Sequence, residues 1–263
     1  MLRFQSKVAL RFASYPTIRV SSHLGCNLGC LHCKLTHVNG EKNLVEAQIN
    51  DFQKQFQQGL SLLPSKIANL KVDFSGKGEP LENAFIKNRW THVYNAFSQN
   101  PLPFPIKCSI RTIMPDSFES SSLSRAFLKT DEQNTWPTMT YNLMTSNEKM
   151  KRQWMPSAMP THLAVIKLRD YQDAVFERTF DRRFATSKVK VQLFLVENVN
   201  DQLDDIQKTL STMKQYGLRA RIDIHPFVKP TKFLDHKPSS MEQIKRVGAL
   251  IEKENPEGVK LCF

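Results

Sequence analysis

The chain has 263 residues, 40% of them hydrophobic, and a formal net charge of +12 at pH 7. This length and apolar content can bury one large core, so we predict a single domain over residues 1–263. Residues 1–12 have scattered charge and no sustained apolar run, which argues against a signal peptide or a membrane span. The expectation is a soluble, cytoplasmic protein. Its positive charge predicts attraction to a polyanion such as RNA or DNA, although a solvated basic surface would have the same composition.

The first predicted strand covers residues 17–22, after a short amino-terminal extension over 1–16. It alternates and is β-branched, and it leads into a run with cysteines at C-x-x-x-C-x-x-C spacing, Cys26, Cys30 and Cys33. Three thiolates at this spacing can bind three corners of one 4Fe-4S cluster. The fourth iron is then open, and an enzyme needs such an open iron to hold a substrate or cofactor at the cluster.

Two other interpretations of these cysteines stay open. A structural zinc site could be completed by His23, His32 or His37. Disulfides are a weaker alternative, because three closely spaced cysteines are an odd number and the other two, Cys108 and Cys262, lie far away in the sequence. The pattern is typical of a reducing compartment.

A helix is predicted over residues 44–63, followed by a second strand over 68–75 that runs into Gly76-Lys77-Gly78-Glu79-Pro80. The glycines let the backbone approach a ligand, and Glu79 places a carboxylate at the strand tip, where it can accept hydrogen bonds from an ammonium group. A tight turn that needs positive φ would explain the glycines equally well.

Further along the chain, strands and helices continue to alternate. An excursion or short helix is predicted over 116–134, and a helix that contains Ile206, Leu210 and Met213 is predicted to end at Gly217. The alternation predicts an α/β fold with parallel strands, a partial (β/α)6-type barrel over residues 17–259 with its ligand site at the carboxyl ends of the strands. The remaining predicted strands cover 105–110, 138–143, 189–196, 220–225 and 258–263.

Four stretches resemble the radical S-adenosylmethionine (SAM) superfamily, and more narrowly the RlmN/Cfr family of RNA adenine methyltransferases. The cysteine triad and the G-x-G-E-P turn together are highly specific for the superfamily. The resemblance runs from about residue 17 to residue 259. It is carried by residues 20–26 leading into the triad, by residues 76–83, by Asn147-Glu148 with Met155-Pro156, and by Val199-Asn200-Asp201.

The resemblance implies a cofactor set and a mechanism. Cys26, Cys30 and Cys33 would bind the 4Fe-4S cluster, whose open iron would chelate SAM, and one electron would split SAM into methionine and a 5′-deoxyadenosyl radical. A reducing partner such as flavodoxin or ferredoxin would supply that electron. The residues that match SAM-contacting positions are Gly78, Glu79, Ser109 and Asn200, and Asn142 stands where the family has a serine near SAM. Without the resemblance, Ser109 and Asn200 would be interpreted as strand-end cap or turn residues.

The chain also departs from the family. Methyl transfer there needs two further cysteines, and Arg19 stands at one of their positions, while Cys262 falls in the last predicted strand and does not match the other. The family's amino-terminal RNA-binding domain has no counterpart in residues 1–16. We therefore predict a radical SAM enzyme that cleaves SAM and modifies a base in RNA by chemistry other than this methylation or simplified from it, with catalytic residues unassigned. Alternatives are a small-molecule substrate, a true methyltransferase that uses a different cysteine, and a cluster-bearing binding protein without turnover.

Overall fold

The computed structural model describes residues 7–9, 16–26, 28–31, 33, 45–64, 67–98, 102–226 and 237–262. The chain divides into two compact units. Unit 1 comprises Met1–Asn27, Glu41–Thr112 and Ser120–Met139, and unit 2 comprises Leu28–Gly40, Ile113–Glu119 and Thr140–Phe263. The expectation of a single domain stays a prediction.

Unit 1 combines a sheet with flanking helices. Strand β1 is antiparallel to β2, whereas β2, β3 and β4 are parallel neighbours in chain order. The strands are β1 (Lys7–Ala9), β2 (Thr17–Val20), β3 (Leu70–Phe74) and β4 (Ile106–Thr112). The helices are α1 (Ile49–Leu60), α2 (Ala84–Asn88), α3 (Trp90–Ser98) and α4 (Leu123–Phe127), with 3-10 turns at Pro80–Glu82 and Gln133–Thr135.

Side-chain alternation gives the β2–β4 sheet two different faces. Ile18, Val72 and Phe74 are fully buried, and polar side chains occupy the alternate positions. The Phe74 ring packs against Phe52 of α1 and Trp90 of α3, with ring centroids 5.7 and 5.4 Å apart. Burying each such ring contributes roughly 1.5–3 kcal/mol to stability. The helices therefore cover the apolar face, and the polar side chains of β2, β3 and β4 lie together on the other.

Unit 2 has the same alternation of strands and helices. Strands β6, β7 and β8 are parallel neighbours in chain order. Besides most of β5 (Thr138–Leu143), the strands are β6 (Val189–Leu195), β7 (Arg221–Pro226) and β8 (Val259–Leu261). The helices are α5 (Glu148–Trp154), α6 (Thr161–Thr179), α7 (Arg182–Ser187), α8 (Leu203–Gln215) and α9 (Met241–Glu254), with a 3-10 turn at Asp116–Phe118.

The parallel α/β class predicted from the sequence is confirmed, and every predicted strand is present with small shifts of its ends. The short helix expected in the 116–134 excursion is α4. The helix predicted over 44–63 is shorter than expected. It begins at Ile49, because Gln48 keeps an extended backbone and donates its N–H to the Asp51 carboxylate over 3.0 Å. Leu44 lies outside the described residues.

Sequence analysis did not predict β1 or the 19-residue helix α6. Polar side chains of α6, among them Thr161 and Gln172, are buried with its apolar ones, so the helix lacks a clean amphipathic pattern. Within the described part of the chain, no helix combines the length and the apolar character that crossing a bilayer requires.

Candidate functional site

The G-x-G-E-P turn is attached to the segment that precedes Cys26. The Lys77 carbonyl accepts the N–H groups of Ser22 and His23 over 3.0 and 3.2 Å. In return, the Lys77 N–H donates to the Ser21 hydroxyl over 3.0 Å. Two motifs that stand 55 residues apart in the sequence are thus held together within unit 1.

Both glycines of the turn are needed for this close approach. A Cβ atom on Gly76 would lie 2.4 Å from the Ser21 hydroxyl oxygen and 2.7 Å from the Val20 carbonyl oxygen. Gly78 has φ +85°, and a Cβ atom there would lie 2.5 Å from Nδ1 of His23. Sequence analysis explained the glycines by ligand approach or by turn geometry. Their close packing against the segment that leads to Cys26 is a further reason for glycine at both positions.

Glu79 is only 6% exposed and is a capping residue. One of its carboxylate oxygens accepts the Leu81 N–H over 3.1 Å at the start of the 3-10 turn Pro80–Glu82. A carboxylate has about four acceptor positions, so it can accept this bond together with others. The predicted contact of Glu79 with the SAM ammonium group stays a prediction.

His23 is a buried histidine in the segment that leads to Cys26. Its Nδ1 lies 3.0 Å from the Ser22 hydroxyl, whereas its Nε2 is buried and has no hydrogen-bond partner among the described residues. Burial lowers the pKa of His23 to about 4, so the ring is neutral at pH 7. Sequence analysis considered His23 only as a zinc ligand.

None of the three clustered cysteines forms a disulfide with another described residue. Cys26 is a residue of unit 1, whereas Cys30 and Cys33 are residues of unit 2. The Cys33 N–H donates to the Cys30 carbonyl over 3.1 Å, which places these two cysteines at the ends of one turn. Gly29 before them has φ +69°, and the Leu31 N–H donates to the Trp154 carbonyl of α5 over 2.9 Å.

This donor set fits an iron–sulfur cluster. Cysteine sulfurs are the soft ligands that iron–sulfur clusters take, and the Cys30–Cys33 turn brings two of these residues close together. Among the described residues, which include all three of these cysteines, no three His, Cys, Asp or Glu side chains converge as one bound metal would require, so the three-cysteine ligand set stays a prediction. His32 and His37, which the zinc alternative invoked, lie outside the described residues.

Ser109 takes part in a network around Asp73 in unit 1. The hydroxyls of Ser109 and Ser75 donate to the Asp73 carboxylate over 2.5 and 2.8 Å. Arg111 and Lys71 lie 3.2 and 3.9 Å from the same carboxylate. Burial alone would raise the pKa of Asp73, but the two cations and the two hydroxyls outweigh it and hold the pKa below its usual value. Sequence analysis missed this network.

Asn142 and Asn200 lie in unit 2 and differ in how their amides are used. The Asn142 Oδ1 is buried without a hydrogen-bond partner among the described residues. The Asn200 side chain accepts the Val196 N–H over 2.8 Å and donates to the carbonyls of Met144 and Phe194. Asn142 therefore keeps an acceptor for a ligand, and Asn200 ties β6 to the loop after β5.

The two remaining cysteines are strand-associated. Cys108 is 4% exposed and pairs with Val72, so it lies on the helix-covered face, opposite Ser109. Burial, with nearby Cys108 and Glu132, raises the pKa of Tyr94 on α3 to about 12. Cys262 directly follows β8, and its N–H donates to the Ile224 carbonyl over 2.9 Å. Cys108 thus points away from the polar face on which Ser109 lies.

Comparison with known proteins shows what the chain is similar to. No protein-family model matches it. It is 27% identical over 237 residues to the dual-specificity RNA methyltransferase RlmN of Campylobacter hominis, an alignment that covers 90% of this chain and 60% of the relative. The chain spans about three fifths of the length of the curated relatives it matches.

Solved structures show which fold the chain shares. A radical SAM methyltransferase from Sphaerobacter thermophilus superposes with a TM-score of 0.65 at 16% identity, covering 98% of this chain and 68% of that structure. The structure titled native anSMEcpe with bound AdoMet and a Kp18Cys peptide superposes with a TM-score of 0.56 at 12% identity, covering 92% and 63%. The chain therefore has the α/β fold of the radical SAM enzymes and is similar in sequence to RlmN-type RNA methyltransferases, as its motifs indicate.

Proposed function

We propose that the protein is a radical SAM enzyme that reductively cleaves SAM and modifies a base in RNA. The observation that carries the proposal is the attachment of the G-x-G-E-P turn to the segment before Cys26 through Lys77. The cysteine triad and the G-x-G-E-P turn together are specific for the superfamily. These hydrogen bonds hold the turn against the segment that leads to the triad. The similarity to RlmN in sequence and to radical SAM enzymes in fold supports the same conclusion.

Cys26, Cys30 and Cys33 would hold the 4Fe-4S cluster as three thiolates. When bound, the cluster supplies the electron that splits SAM into methionine and a 5′-deoxyadenosyl radical. A small redox protein such as flavodoxin or ferredoxin would be the reducing partner. Cysteines outside disulfides are typical of a reducing compartment, which supports the cytoplasm as the location.

The other predicted site residues take different roles in this proposal. Gly78 and Glu79 would bind the methionine ammonium group of SAM, since Glu79 places a buried carboxylate at the end of β3. The buried Oδ1 of Asn142 would accept a hydrogen bond from the cofactor. Ser109 and Asn200 would bind or position the cofactor, Ser109 next to Asp73 and Asn200 through the backbone that it holds.

RNA is the proposed substrate on two grounds. The curated relatives are named as RNA methyltransferases, and the chain carries a formal net charge of +12, which attracts a polyanion. Arg19 argues against the two-cysteine methylation route, because a guanidinium stays protonated and does not accept a proton as a thiolate does. Cys108 does not replace the missing thiol, since it is buried on the helix-covered face.

Nucleoside mass spectrometry tests the substrate and the reaction. RNA from cells that express the protein is compared with RNA from cells that express the Cys33→Ala variant. We expect a modified nucleoside that depends on Cys33 and is not a methyladenosine. A new methyladenosine that depends on Cys33 would overturn the prediction about Arg19, and an unchanged nucleoside profile would argue for a small-molecule substrate or for a binding protein without turnover.

A further inference from the structure

We propose that Arg19, Lys71 and Arg111 form an anion site for a phosphate group of the substrate, with Asp73 as the residue that positions it. The site lies on the polar face of β2, β3 and β4 in unit 1. The inference rests on the proposed function in one respect, because the phosphate is taken to belong to a nucleotide substrate.

The strand register places these side chains beside one another. Arg19 pairs with Asp73, and Asp73 pairs with Ser109 on the next strand. Arg111 lies two residues beyond Ser109, and Lys71 lies two residues before Asp73. Because successive residues of a strand point to opposite faces, all five share the face opposite the helix-covered one.

This polar face is electropositive. The residues of β2, β3 and β4 on this face include one carboxylate, Asp73, and four cations, Arg19, Lys71, Lys107 and Arg111. Asp73 is ionised, since its pKa lies below its usual value, and it offsets one of the four positive charges. A surface with this excess of one sign of charge concentrates anions, and the effect grows where the surface is partly shielded from water.

The cations are reachable by a ligand, whereas the carboxylate is not. The side chains of Lys71 and Arg111 are 34% and 27% exposed, compared with 3% for Asp73. Asp73 therefore lies at the base of the group, and the two cations extend from it toward solvent. A carboxylate in this position holds the cationic side chains in place from below, away from the exposed donors that a phosphate would contact.

Arg111 has hydrogen-bonding capacity that Asp73 does not use. One terminal nitrogen contacts Asp73 at 3.2 Å, and the Nε is buried without a hydrogen-bond partner among the described residues. A guanidinium has five N–H donors in a planar fork that matches the oxygens of a phosphate. Arg19 on the far side of Asp73 supplies a second guanidinium. Two guanidinium groups and an ammonium group suit a phosphate monoester or diester.

Calorimetry on the anaerobically reconstituted protein tests the site, with adenosine monophosphate and a short RNA oligonucleotide as probes. We expect saturable binding of at least one probe, weakened about tenfold or more by Arg19→Gln and by Arg111→Gln. The matched control is Lys245→Gln, which removes an exposed cation from α9 and should leave the affinity unchanged. Binding of the nucleotide would indicate a free nucleotide substrate, and binding of the oligonucleotide alone would indicate a backbone phosphate of RNA.

A second measurement does not depend on whether the variants fold. Inorganic phosphate should raise the Tm of the unmodified protein above its value in chloride at equal ionic strength, because a ligand that binds only the folded state stabilises it. No saturable binding of either probe, or equal affinities in all three variants and the parent, would overturn the inference. Formation of 5′-deoxyadenosine in the same samples reports on the proposed function separately, so failure of the anion site leaves that proposal standing.

Discussion

Gly78 lies directly against His23. A Cβ atom on Gly78 would stand 2.5 Å from Nδ1 of the histidine and 2.6 Å from its Cβ, which is closer than real Cβ contacts. The Cβ of His23 is fixed to the backbone that leads to Cys26, so the histidine cannot swing away from such a contact. The G-x-G-E-P turn and the segment that carries the first cysteine therefore constrain each other.

Gly78→Ala should destabilise the protein more than a glycine-to-alanine substitution normally does at a position with positive φ. The matched control is Gly217→Ala, because Gly217 also has positive φ, +71°, but a Cβ there meets no atom within 4 Å. We expect a cost of roughly 1–2 kcal/mol for Gly217→Ala. Urea unfolding should show a larger loss of unfolding free energy for Gly78→Ala, and equal losses would contradict the close packing against His23.

Glu79→Gln should weaken SAM binding while the cluster stays bound. The amide still has an oxygen that can cap Leu81, so the change removes the charge and keeps the local structure. A charge-assisted hydrogen bond contributes roughly 1.5–3 kcal/mol, so the affinity should fall on the order of ten- to a hundredfold. Calorimetry measures the affinity, with the exposed Glu242→Gln as control. SAM affinity equal to that of the control would count against Glu79 as a cofactor ligand.

His23 predicts a specific dependence of stability on pH. Burial lowers its pKa from 6.5 to about 4, so between these values the unfolded chain binds a proton that the folded chain does not. Stability should therefore be lost as the pH falls from 6.5 to 4, by roughly 3 kcal/mol in total. The His23→Gln variant should lack this component, whereas His92→Gln at an exposed histidine should retain it. Identical pH profiles of Tm for the parent and His23→Gln would refute the assignment.

The cysteine assignments predict which thiols bind iron. Alanine at Cys26, Cys30 or Cys33 should abolish the brown absorbance of the anaerobically reconstituted protein. Cys108→Ala should leave that absorbance intact, because Cys108 is buried on the helix-covered face of β4. Absorbance that is lost only on changing Cys108 or Cys262 would remove the basis for the cluster site.

Local sequence patterns were enough for the motifs and for strands β2 to β8 of the described residues, but not for β1. β-Branched alternation in residues 17–22 and the apolar run in 189–196 mark strands without reference to any other part of the chain. The cysteine spacing and the G-x-G-E-P turn are also local. Their predicted positions at strand ends agree with β2 and β3, which end at Val20 and Phe74.

Contacts set by strand register and by burial of polar groups could not be predicted in this way. The Asp73 network depends on which residue of β4 pairs with Asp73, and neither strand contains that information alone. Lys151 is fully buried, and its ammonium group donates to Tyr141, Thr161 and the Met159 carbonyl, although a lysine on a short helix is expected in solvent.

The most direct test of the account is the formation of 5′-deoxyadenosine from SAM by the anaerobically reconstituted protein with dithionite as reductant. We predict 5′-deoxyadenosine and methionine in equal amounts from the parent protein and from Cys108→Ala, and neither product from Cys26→Ala, Cys30→Ala or Cys33→Ala. Chromatography with mass detection quantifies both products. A protein that binds the cluster and SAM yet forms no 5′-deoxyadenosine would contradict the assignment as a radical SAM enzyme and identify it as a binding protein.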